Sequence, residues 1–76
     1  MEDKVKLIWN FYGPDSKQTA DHHLSHLKTF LLNENIPYFS TGVECVNENY
    51  CSYLVMSKEK IDFIRQKLNP NKGILI

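Results

Sequence analysis

Hydrophobic and polar residues alternate along residues 5–12, and this stretch, VKLIWNFY, predicts a β-strand. The residues of one face are all apolar, namely Val5, Leu7, Trp9 and Phe11. The other face is mixed, with Lys6, Ile8, Asn10 and Tyr12. Because successive side chains of a strand point to opposite sides, we expect the only tryptophan, Trp9, to lie in the core, with the rest of the chain covering it.

A helical period replaces the alternation over residues 16–33. The apolar stripe of this helix consists of Ala20, Leu24, Leu27 and Leu31, with His23 and Phe30 on its flank. The side facing solvent carries Lys17, Asp21, Ser25 and Lys28. Asp15 is a suitable N-cap, with Gln18 three residues later in the spacing of a capping box. After the helix, Pro37 favours an extended chain.

The second half of the chain predicts three further strands and one helix. Residues 37–46 and 50–56 each read as a strand, and the polar residues 47–49 form the turn between them. Ser57 is expected to cap a short helix whose apolar stripe is Ile61, Ile64 and Leu68. Residues 74–76 are Ile-Leu-Ile, and these apolar residues predict a short terminal strand.

The resulting order is strand, helix, strand, strand, helix, strand. With right-handed crossovers this order predicts one α+β domain over residues 1–76, with the ferredoxin-like βαββαβ arrangement. Its four-stranded antiparallel sheet has the first and third strands in the centre and both helices on one face. We expect the covered face to hold Trp9, Phe11, Phe39, Val43, Tyr53 and Val55.

The uncovered face of such a sheet is the first candidate for function. The candidate partner-binding residues on it are Ile8, Asn10, Tyr12, Tyr38, Ser40, Tyr50 and Leu54. Tyrosine combines a large apolar ring with a hydroxyl group and is enriched at contact surfaces. The sequence therefore favours a small non-enzymatic binding or self-associating module, acting as a homodimer or with a protein partner.

Charge bears on an alternative in which the sheet tyrosines stack on single-stranded RNA. Nine Lys and Arg residues balance nine Asp and Glu residues, so the formal net charge is zero. Nucleic-acid binding draws on a surplus of basic residues, and a nucleic-acid partner is therefore disfavoured.

The sequence has no apolar run long enough to span a membrane and begins without a signal peptide, which predicts a cytoplasmic protein.

All three histidines lie in the predicted first helix, in the segment DHHLSH at residues 21–26. His22 and His26 are one helical turn apart, so their imidazole rings can converge on one ion such as zinc. The segment lacks the HExxH order of a metalloprotease, because His23 stands where the glutamate would be. A metal-binding or metal-sensing domain using His22 and His26 is therefore the second functional hypothesis.

The two cysteines, Cys45 and Cys51, lack the CxxC spacing of redox and zinc motifs. We expect them to be buried, reduced thiols, and we assign no catalytic residue. A three-residue turn at 47–49 would make them neighbours on one face of the hairpin. A two-residue turn would put them out of register, and the sequence leaves this choice open.

Overall fold

Four antiparallel strands form one sheet in the order β2-β3-β1-β4, in a computed structural model that describes residues 3–76. The elements are β1 (Lys4–Phe11), α1 (Ser16–Asn33), β2 (Ser40–Val46), β3 (Asn49–Ser57), α2 (Ile61–Leu68) and β4 (Lys72–Leu75). One 3-10 turn, Lys58–Lys60, leads into α2. The ferredoxin-like α+β prediction, with the first and third strands in the centre, is confirmed.

Both helices pack on the same side of the sheet. Leu27 and Leu31 of α1 and Ile64 of α2 belong to one buried cluster with inward-facing residues of the two central strands. Those strand residues are Val5, Leu7, Trp9, Leu54 and Met56. The apolar face predicted for β1 is thus the covered face, with Trp9 in the core.

Local sequence signals account for both helices. The predicted stripe of α1 is confirmed, since Ala20, Leu27 and Leu31 are buried. Asp15 stands at the N-cap position, but its side chain makes no capping hydrogen bond, and its carbonyl oxygen accepts from the Thr19 hydroxyl instead. Ser57 accepts a hydrogen bond from the amide of Glu59 at 3.5 Å, as expected of the residue that starts the second helical segment.

The prediction for the faces of β3 is wrong. Tyr53 and Val55 do not lie under the helices; Ser52, Leu54 and Met56 do, and all three are buried. Residues directly opposite in an antiparallel pair share a face, and Leu7 of β1 stands opposite Leu54 of β3. Leu54 and Tyr50 therefore lie on the covered side, contrary to their placement among the partner-binding residues.

The turn between β2 and β3 explains this reversal. Val46 pairs with Asn49, so the turn contains only Asn47 and Glu48, with φ angles of +49° and +69°. Positive φ at both central residues is characteristic of the type I′ turn that joins twisted strands. A three-residue turn would shift the pairing by one residue, and a shift of one residue moves every side chain to the other face.

The same turn separates the cysteines. Cys45 pairs with Tyr50, whereas Cys51 pairs with Glu44, so the two thiols lie on opposite faces of the sheet. Both are free; Cys45 is exposed and Cys51 is buried. The expectation of two buried thiols holds for Cys51 and is wrong for Cys45.

Strand boundaries differ from the prediction at the sheet edges. β2 begins at Ser40 instead of Pro37, since only the Phe39 amide extends the ladder, donating to the Val55 carbonyl at 2.8 Å. Phe39 is 49 % exposed, not buried, and the Lys4 ammonium lies 4.6 Å from its ring centre.

Among the described residues, no helix is long and apolar enough to cross a bilayer.

Candidate functional site

The uncovered side of the sheet, called here the open face, is defined by alternate residues of the four strands. Its residues are Lys4, Lys6, Ile8 and Asn10 on β1, Asn49, Cys51, Tyr53, Val55 and Ser57 on β3, Ser40, Gly42, Glu44 and Val46 on β2, and Lys72 and Ile74 on β4. They form cross-strand rows, because each residue stands opposite its neighbours on the same face. One row reads Ile74, Lys6, Val55, Ser40.

Tyr53 lies at the centre of the open face, flat against β2. A Cβ atom at its partner Gly42 would lie 2.9 Å from the Tyr53 hydroxyl oxygen and 3.1 Å from two ring carbons. The glycine therefore makes room for the ring. The Lys6 ammonium lies 4.7 Å from the ring centre and 2.9 Å from a carboxylate oxygen of Glu44. These four residues form a fixed, partly buried polar group between β1 and β2.

Three of the predicted partner-binding residues, Ile8, Asn10 and Ser40, do lie on the open face. Ile8 is nevertheless only 7 % exposed, although both helices lie on the other side of the sheet. Tyr12 and Tyr38 lie outside the strands and are 74 % and 44 % exposed. With Tyr50 and Leu54 on the covered side, the structure does not bring the predicted set together as one surface.

Sequence reasoning missed Tyr53, Val55 and Ile74 as open-face residues. The available signal is Asn47, which tolerates the positive φ that a two-residue turn requires, whereas Glu48 is unusual at the second position of such a turn. A two-residue turn places Leu54 and Met56 in the core and leaves Tyr53 and Val55 outside. Both alternating sets of β3 are largely apolar, so the strand itself does not reveal which set is buried.

The second candidate site is the exposed histidine pair of α1. The Nε2 atoms of His22 and His26 are 2.9 Å apart, and their ring centres are 4.5 Å apart. The helix places them one turn apart on its solvent side, as the sequence predicts. Two imidazole nitrogens at this distance can form an N–H···N hydrogen bond or act together as ligands of one cation.

His23 has a different environment from the other two histidines. Its Nδ1 atom is 2.7 Å from the hydroxyl of the buried Ser52, and its ring packs 5.0 Å from Trp9 and 5.5 Å from Phe11, centre to centre. Burial, and secondly the neighbouring His26, lower the pKa of His23 below its usual value of 6.5. The ring is thus neutral at pH 7 and ties α1 to β1 and β3.

The histidine pair is an incomplete set of metal ligands by itself. Within residues 3–76, no group of three or more His, Cys, Asp or Glu side chains is close enough together to hold a metal ion. Zinc usually takes four ligands. A cation on His22 and His26 would therefore need ligands from water or from another chain.

Comparison with known proteins adds no relative to this picture. No family model, no curated protein and no solved structure matches the chain. The two candidate sites therefore stand on their own geometry.

Proposed function

We propose that this protein is a small binding module that pairs with a second copy of itself through the open face of its sheet. The proposal rests on the observation that both helices cover the same side of the sheet and leave the other side uncovered. The buried cluster joins both helices to the covered face only, and the open face carries the side chains of Val55, Ile74 and Tyr53 with no helix over them.

The apolar groups of the open face lie on three neighbouring strands around Lys6. Val55 and Ile74 stand on either side of Lys6, and Ile8 stands beside Tyr53 in the next row. Ile74 is 42 % exposed, and Tyr53 and Val55 are half-buried. An apolar patch bordered by polar residues is the usual composition of a protein contact surface.

Charge favours a second copy as the partner. The centre of the open face carries Lys6 and Glu44, whose charged atoms lie 2.9 Å apart, and Lys4 and Lys72 lie nearer its margins. A two-fold interface presents the same patch twice, so it must be complementary to itself. Antiparallel stacking of two open faces allows Lys6 of each copy to approach Glu44 of the other.

The area of the open face indicates how tightly two copies should bind each other. Strands about 4.8 Å apart, rising about 3.3 Å per residue, give a four-stranded face of roughly 450 Å². A standard interface buries about 800 Å² per partner, and smaller ones form weak or transient complexes. We therefore expect association in the micromolar range.

The geometry of Tyr53 favours protein over RNA as the partner. A stacked base needs a free ring face. One side of the Tyr53 ring lies against Gly42, and the Lys6 ammonium lies over the ring. Binding a base there would also break the ion pair of Lys6 with Glu44.

The test is the oligomeric state at increasing concentration. Sedimentation velocity of the unchanged protein should show a reversible monomer–dimer equilibrium. Val55→Glu should raise the dissociation constant at least about thirtyfold, because the new carboxylate is desolvated in the interface without a partner. Val55 is half-buried on the open face and not in the core cluster, so the variant should still fold.

Leu32→Glu is the matched control, since Leu32 is 76 % exposed on α1, away from the open face. It makes the same kind of change in the same protein and should leave the dimer intact. A protein that remains monomeric at several hundred micromolar contradicts the proposal. So does dissociation by Leu32→Glu combined with an unaffected Val55→Glu dimer.

As part of the same proposal we place the protein in the cytoplasm. Cys45 and Cys51 lie on opposite faces of the sheet and are free thiols. Two thiols that cannot pair within the chain suit a compartment that keeps cysteines reduced.

The 2.9 Å separation of His22 Nε2 and His26 Nε2 favours a second candidate function, the binding of a divalent cation such as zinc. In thermal melts, zinc should raise the melting temperature with a saturable dependence on its concentration, because it binds the folded helix better than the unfolded chain. His26→Ala should abolish this rise. Gln18→Ala, one turn earlier on the same exposed side, should not.

A rise in melting temperature that survives His26→Ala would place the cation elsewhere. A rise that depends on protein concentration but persists in Val55→Glu would mean that a second copy supplies the missing ligands by a contact between helices, since α1 lies on the side of the sheet away from the open face. This comparison separates an isolated site from one shared between the helices of two copies.

A further inference from the structure

A groove of about 430 Å³ lies on the covered side of the sheet, between α2 and β4. The core cluster ends at β1 on this side, and Leu75 of the edge strand is 66 % exposed. Pockets for small ligands are typically about 300–1,000 Å³. The groove is thus large enough for a small organic molecule, and it is separate from both candidate sites described above.

The floor of the groove is apolar. It is lined by Val5, Leu7, Ile61 and Leu75, with Gly73 at its centre on β4. A Cβ atom at Gly73 would lie 3.2 Å from a methyl carbon of Leu7 and 3.6 Å from one of Val5. Since Gly73 has no side chain, the floor stays open above the two core residues.

The rim of the groove is basic. Lys58 and Arg65 line it, Lys72 borders it on β4 with its side chain toward the open face, and no acidic residue lines it. Within residues 3–76, the one ion pair closer than 4 Å joins Lys6 and Glu44, so none of these three cations is paired with a described carboxylate. Positive charges beside an apolar floor attract a molecule with the opposite charge and an apolar body.

We propose that this groove binds a small carboxylate with an aliphatic body, with its headgroup on Arg65 and its chain on the apolar floor. The planar guanidinium group of arginine binds a carboxylate through two parallel hydrogen bonds. Each methylene group buried on the floor adds about 0.8 kcal/mol. The site does not depend on pairing through the open face, because it lies on the opposite side of the sheet.

The test uses the full chain, labelled with ¹⁵N, and sodium octanoate below its micelle-forming concentration. Octanoate should cause saturable shifts in the amide signals of Arg65, Gly73 and Leu75. Acetate has the charge without the chain, and 1-octanol has the chain without the charge. Each should bind at least about tenfold more weakly than octanoate, because it makes only one of the two kinds of contact.

Arg65→Glu should weaken octanoate binding at least about tenfold, since it replaces the attracting charge by a repelling one. Lys67→Glu is the matched control: it lies in the same last turn of α2, is exposed, and does not line the groove. It should change the affinity less than about threefold, through screened long-range repulsion alone. Both residues are exposed, so both variants should fold.

Three results would overturn the proposal. The first is the absence of saturable shifts in these three amides. The second is equal binding of octanoate and 1-octanol, which would mean unspecific contact with apolar surface. The third is equal weakening by Arg65→Glu and Lys67→Glu, which would mean attraction by overall charge instead of recognition in the groove.

Discussion

Leu54→Ala should lower the free energy of unfolding by about 2–5 kcal/mol, the range for a leucine truncated in a packed core. Leu54 is fully buried and belongs to the cluster that joins both helices to the sheet. Truncation removes these contacts and leaves a cavity. Chemical denaturation, followed by circular dichroism, measures the change directly.

Val55→Ala is the control for Leu54→Ala, since the two residues are adjacent on β3 and point to opposite faces. Val55 is half-buried on the open face, and its truncation should cost about 1 kcal/mol or less. A larger loss for Val55→Ala than for Leu54→Ala would reverse the assignment of faces. The pairing of Leu7 with Leu54 would then be wrong, and the open face would have to be redrawn.

Trp9→Ala should destabilise the fold by about 3–5 kcal/mol, a large part of the stability expected for a domain of this size. Trp9 is 5 % exposed, and its indole N–H donates to the carbonyl oxygen of Leu68 at 2.9 Å. Leu68 is the last residue of α2, where carbonyl groups lack partners within the helix. The substitution therefore removes core packing and also the bond that holds the end of α2 against β1.

Trp9→Phe keeps an aromatic ring but removes the donor and part of the ring volume. Its cost should be about 1–3 kcal/mol, from the small cavity and from the part-buried Leu68 carbonyl left without its partner. Tyr12→Ala is the control for aromatic truncation outside the core: Tyr12 is 74 % exposed, and the change should stay within about 0.5 kcal/mol. Equal losses for Trp9→Ala and Tyr12→Ala would contradict the described core.

Trp9→Ala has a second measurable consequence at the histidine segment. The ring of His23 packs 5.0 Å from that of Trp9 and is hydrogen-bonded to Ser52 on β3. The burial that lowers the pKa of His23 therefore depends in part on the indole ring. In a Trp9→Ala variant that still folds, the pKa of His23 should move back toward 6.5, as read from its ring proton shifts in NMR.

The fold class follows from local patterns that point one way. Only one face of β1 is wholly apolar, and α1 has one apolar stripe opposite a charged side, so each element has a single face that can enter the core. Helix boundaries follow for the same local reason, with Ser57 placed to begin the second helical segment. These features need no information about distant residues.

The candidate sites depend on distances along the chain that the pattern does not contain. The zinc hypothesis needs only residues one helical turn apart, so the closeness of His22 and His26 was predictable. The environment of His23 was not predictable, because its partner Ser52 is 29 residues away in the sequence, on β3. The groove beside Arg65 likewise exists only because the fold brings both α2 and β4 against β1 and leaves a gap between them.

The sequence by itself determined the six elements, their order and the side of β1 that enters the core. Only the tertiary structure decided which side of β3 joins it, and with that the composition of the open face. The physical reason is the two-residue turn at Asn47 and Glu48. A turn one residue longer would leave the helices and strands unchanged but exchange the buried and exposed faces of β3. The reason is that side chains along a strand alternate between the two faces.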